Sequence, residues 1–151
     1  MSTHRRVPWV DLLAGLLLVT GSLAIYVVIF PRPDVVDGPN PIILGYASFA
    51  LAALGGVRLG TALHRWLGNE GRLPLIVAEI ACVVLVAGVT QSAGWLLDPE
   101  FFEWGVLRTF VWLVVVFGAT IVVLREVVRL LVRALRRGWS RWTDTAPPSH
   151  D

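Results

Sequence analysis

Apolar residues dominate four long runs, 7–30, 41–63, 73–97 and 104–124, and polar residues concentrate in the short breaks between them and in the tails, with a few inside the runs. A helix rises 1.5 Å per residue, so about 20 residues cross a hydrocarbon core of roughly 30 Å, and each run predicts a transmembrane helix. The first break, 31–40, contains Pro31, Pro33 and the Gly38-Pro39 step, which deny both helix and strand. Pro41 then suits the first turn of a helix, where its missing N–H is no loss. The second break, 64–72, runs from His64 to Arg72 and includes Gly68 and Gly71. Asp98-Pro99 marks a turn before a short acidic and aromatic connector at 100–103.

The helical pattern continues past Leu124. Arg125, Arg129 and Arg133 repeat every four residues, followed by Arg136, Arg137 and Arg141, with Val127, Val128, Leu130, Leu131, Val132 and Leu135 between them. This predicts a basic amphipathic extension over 125–142 that leaves the bilayer and lies along its surface. Residues 143–151, with Pro147-Pro148, read as a disordered tail. The fold class is therefore all-α: a polytopic integral membrane protein, with one four-helix transmembrane domain over 1–142.

Within the second run Ser48, Ala52, Gly56 and Gly60 recur every four residues and form one smooth stripe. Small residues at this spacing let two helix backbones approach closely, either within the chain or between two copies of it. Arg58 lies on a different face, with Leu51, Leu54 and Arg65. In the third run Glu79, Cys82, Val86 and Thr90 share a face.

Composition agrees with a membrane protein. Of 151 residues, 56% are hydrophobic and 16% charged, against about a quarter charged in soluble domains. The single cysteine, Cys82, permits no internal disulfide, and His4, His64 and His150 have no ligand spacing, so no metal or cofactor is expected. Phosphate loops, nucleophile elbows and paired metal-binding acids are missing from the sequence, which argues against an enzyme.

What remains for chemistry is charge inside the spans, which is costly, about 2.5–3.5 kcal/mol per residue on insertion scales. Arg58 and Glu79 lie at matching depth on antiparallel neighbours and are expected to pair, and Asp11 is expected to neutralise an arginine of the fourth helix. Arg108 and Gln91 are the polar positions at the opposite end, with Arg108 close to Asp98, Glu100 and Glu103. A rival expectation makes Glu79 part of an ion or proton path.

Four spans put both termini on one side. Arginines 5, 6, 58, 65, 72, 125, 129, 133, 136, 137 and 141 gather there, leaving Arg32 and Arg108 with five acids on the other. The positive-inside rule makes the arginine-rich side cytoplasmic, in a plasma membrane. The C-terminal arginines would meet anionic headgroups, with nucleic acid as the weaker alternative. The basic start, the apolar stretch 12–20 and Ser22-x-Ala24 also fit a cleaved signal peptide, although the apolar run continues unbroken through 25–30.

Asp11-Leu12-Leu13-Ala14-Gly15 with Gly21, then Gly38-Pro39, Pro41, Leu44-Gly45 and Leu54-Gly55, resemble the small membrane subunit of tripartite tricarboxylate transporters. The resemblance covers residues 5–65 and implies a four-span protein beside a large transporter subunit and an extracytoplasmic binding protein. The second half departs from it: the third span has no Leu-Gly-Phe step, and no Leu-Pro-x-Gly closes the chain. The leading expectation is a non-enzymatic scaffold or accessory subunit, packing against other membrane proteins or itself. The alternatives are a transporter's small subunit or oligomeric ion path, and a structural envelope protein with its basic tail on the enclosed side.

Overall fold

A computed structural model describes residues 8–29, 41–68, 71–97, 99 and 104–144, with side chains for 8–26, 43–68, 71–97, 99 and 108–136. The chain forms helices α1 (Trp9–Leu23), α2 (Pro41–Leu67), α3 (Arg72–Leu97) and α4 (Trp104–Asp144). All four are long and apolar enough to cross a membrane, and the protein is an all-α multi-pass bundle. The loop 31–40, the connector 100–103 and the tail beyond Asp144 lie outside the described residues.

Three boundaries differ from expectation. α1 passes at Ala24–Ile29 into a stretch of π-helix, a widened turn that hydropathy does not register. This stretch carries Tyr26, which is buried in the core. α2 runs four residues further than predicted, through His64, Arg65, Trp66 and Leu67. The basic pair in its last turn complements the helix dipole, and the helix stops at Gly68, whose φ of 64° suits the left-handed position after a helix end.

The third difference is the course of α4: the helix continues past Leu124 as expected, but in one uninterrupted run of 41 residues and about 61 Å. That is twice the thickness of a hydrocarbon core of roughly 30 Å. The break that would let 125–142 turn onto the membrane surface does not occur. The segment has no proline and mostly good helix formers, so the α-helix simply continues. Residues 127–136 are all exposed.

α2 is the central helix and packs against the other three. Its small stripe is used within the chain. Ser48 faces α1, donating from Oγ to Ser22 O at 3.1 Å while Ser22 Oγ donates to Ser48 O at 2.9 Å. Gly56 and Gly60 face α3. A Cβ on Gly56 would lie 2.6 Å from Val83 Cα, and one on Gly60 would collide with the Glu79 backbone. Ala52 is fully buried between these contacts. Two turns after Ser48 and on the same face, Gly55 meets Gly15 and brings α1 against α2, and a Cβ on Gly55 would lie 3.1 Å from Gly15 O. α4 closes the bundle through Gly118, which abuts Val83, and through Phe110, whose ring centroid lies 4.0 Å from that of Tyr26 and 5.1 Å from that of Phe49.

Candidate functional site

Apart from Arg108, the charged residues of the spans among those described collect at one end of the bundle, beside the α2–α3 turn, in two clusters at the same level of α2. The first lies between α1 and α2. Asp11, in the opening turn of α1, is buried, and the partial positive charge of that helix end suits its carboxylate. Arg58 Nη1 donates to Asp11 Oδ1 at 3.0 Å, and Arg65 Nη1 donates to Asp11 Oδ2. Arg58 and Arg65 are seven residues apart, two turns of helix, so both reach the same carboxylate.

The second cluster joins α2, α3 and α4 around Glu79, a residue with no exposed surface. Arg125 grips its carboxylate with both terminal guanidinium nitrogens, Nη1 on Oε1 and Nη2 on Oε2 at 2.6 Å. Thr61 Oγ1 lies 2.9 Å from Glu79 Oε1 and 3.0 Å from Val57 O, so its one proton has a choice, and the charged oxygen is the stronger acceptor. Arg125 also donates to Glu126 Oε1 at 3.2 Å, and Arg129 donates to the same oxygen at 2.8 Å.

The expected Arg58–Glu79 pair is therefore replaced. Depth matching on adjacent antiparallel helices is satisfied, but rotation about α2 is not. Gly60 and Thr61 face Glu79, whereas Arg58 points to α1. Asp11 likewise takes its arginines from α2 and not from the fourth helix. Arg125, expected on the basic surface, is instead half inside the bundle, its side chain 25% exposed.

Arg129, Arg133 and Arg136 are exposed along α4, as is Arg108 at the other end. The acids expected near Arg108, namely Asp98, Glu100 and Glu103, lie outside the described residues, as do the side chains of Arg137 and Arg141. Thr90 is buried, and neither its hydroxyl nor the Gln91 carbonyl oxygen meets a partner among the described residues.

Sequence reasoning missed Thr61 and Ser22 as interhelical donors and Arg65 as a partner of Asp11. The seven-residue spacing of Arg58 and Arg65, opposite an acid in a first helical turn, was the available signal. The two clusters differ in balance. Around Glu79 and Glu126, two arginines meet two carboxylates, and the centre is closed. Around Asp11, two guanidinium groups meet one carboxylate, and their side chains are 56% and 61% exposed. Among the described residues no group of three or more His, Cys, Asp or Glu could hold a metal ion. Comparison of this chain with known protein families, with characterised proteins and with solved structures finds no match.

Proposed function

We propose that the protein is a non-enzymatic scaffold or accessory subunit of a membrane assembly, with both termini in the cytoplasm. The observation that carries this reading is the far half of α4. It continues well beyond the length a bilayer needs while keeping Val127, Val128, Leu131 and Leu135 exposed on one side and arginines on the other. Where such a stripe extends past the bilayer, it is stabilised by covering it with another surface. Inside the bundle, by contrast, the acids are consumed in helix pairing: Asp11 and Glu79 are each gripped by arginine. The arginine-rich end is cytoplasmic on the positive-inside rule. Membership of a transporter complex is one form of this role. The glycines Gly15 and Gly55, which carry part of the transporter resemblance, serve the α1–α2 contact.

The test is affinity purification from native membranes in mild detergent. A stoichiometric membrane partner, or a defined homo-oligomer, lost on replacing Val128, Leu131 and Leu135 by glutamine is the expected result. A monomer that purifies alone from native membranes overturns the proposal.

A further inference from the structure

The surplus positive charge of the Asp11 cluster sits beside an apolar cleft. The cleft has a volume of about 250 Å³ and is lined by Pro8, Leu12, Leu59, Ala62, Leu63 and Trp66. Leu12 follows Asp11 in the chain, Leu59 follows Arg58 and Trp66 follows Arg65, so the cleft and the charges are adjoining faces of the same turns. Both arginines spend one nitrogen on Asp11, and their side chains stay more than half exposed. Trp66, at the end of α2, is an amphipathic ring of the kind that settles at headgroup level.

We infer that this corner of α1 and α2 is a binding site for one anionic phospholipid. Its phosphate lies on Arg58 and Arg65, and the first part of an acyl chain lies in the cleft. The charges are complementary: among the described residues the cluster is one positive charge in excess, and the phosphodiester supplies one negative charge. Guanidinium also matches the phosphate geometrically, two N–H groups to two oxygens. The Glu79 cluster offers no such site, because its charges balance and its carboxylate is sealed from the surface. A zwitterionic lipid fills the same cleft but does not discharge the excess.

Native mass spectrometry of the full chain in detergent tests this, titrating phosphatidylglycerol and phosphatidylcholine of identical acyl chains. One phosphatidylglycerol is expected to be retained in preference to phosphatidylcholine. Arg65→Gln removes the excess charge and should weaken phosphatidylglycerol about fivefold, the weight of one arginine at an anionic surface. Asp11→Asn doubles the excess and should tighten it by a similar factor. Ala62→Trp fills the cleft without altering charge and should weaken both lipids.

The opposite signs of Asp11→Asn and Arg65→Gln separate lipid binding from a merely structural ion pair, whose loss from either side would lower stability and leave the lipid preference unchanged. The Asp11→Asn result stands even if Arg65→Gln fails to fold. Equal retention of the two lipids by the wild-type chain overturns the inference. So does weakening by Asp11→Asn, or a preference that follows Arg129→Gln/Arg133→Gln/Arg136→Gln on α4 instead.

Discussion

Glu79 and Arg125 are not equivalent halves of their pair, and this asymmetry can be measured. Glu79 has no exposed surface, and a short carboxylate on α3 has no route to water. Arg125 is 25% exposed and has a long stem on the helix that leaves the bundle, so it can reach outward if its partner is lost. Breaking a buried ion pair by removing one member costs about 3–5 kcal/mol when the remaining charge stays buried. Arg125→Gln should therefore fall in that range. Glu79→Gln should cost less, about 1–3 kcal/mol, because the stranded guanidinium can snorkel and still has Glu126 at 3.2 Å. Equilibrium unfolding in mixed micelles, followed by tryptophan fluorescence, gives each value, and the double mutant gives the coupling. Coupling between Glu79 and Arg125 should exceed about 1 kcal/mol, whereas coupling between Glu79 and Arg58 should stay within the roughly 0.5 kcal/mol expected of residues that do not meet. The reverse order of couplings, or equal costs for the two single variants, would refute the geometry.

Other consequences concern packing and topology. Gly60→Leu drives a side chain into the Glu79 backbone and should cost at least about 1–3 kcal/mol in the same unfolding assay. Gly88→Ala, where an added Cβ meets nothing within 4 Å, should be neutral or stabilise by up to about 1 kcal/mol. Ser22→Ala and Ser48→Ala should each cost about 0.6–2 kcal/mol, and together nearly their sum, because each hydroxyl donates to the other residue's backbone carbonyl, which alanine retains. In a Cys82→Ala background, cysteines at Val36 and Phe101 should react with an impermeant thiol reagent on whole cells, and one at Ser140 only after permeabilisation. Labelling of Ser140 on intact cells would reverse the orientation.

Much of the bundle was legible because the bilayer restricts its answers. Long apolar runs must be helices there, and α3 begins within one residue of the sequence boundary. The stripe Ser48, Ala52, Gly56 and Gly60 announced close packing, although spacing alone could not say whether the partner was α3 or a second copy. Partner choice among the charges was not legible. Depth is linear in residue number, so Glu79, Arg58 and Arg125 could all be placed at one level, but which faces meet depends on helix rotation. That rotation is set by Gly60 seating on the Glu79 backbone and Gly118 on Val83, contacts that exist only after the helices pack. The π segment at Ala24–Ile29 changes hydrogen-bond spacing without changing hydropathy, and so left no trace in the pattern.

On the proposed function, charge inside these spans holds helices together and does not carry ions. Proton flux into liposomes bearing the purified chain, driven by an imposed pH gradient and potential and read by a trapped pH-sensitive dye, tests it most directly. The wild-type chain should leak no faster than protein-free liposomes, with Glu79→Gln indistinguishable from it. Flux well above that background in the wild type, abolished by Glu79→Gln in a chain that still unfolds cooperatively, would make Glu79 part of an ion path instead.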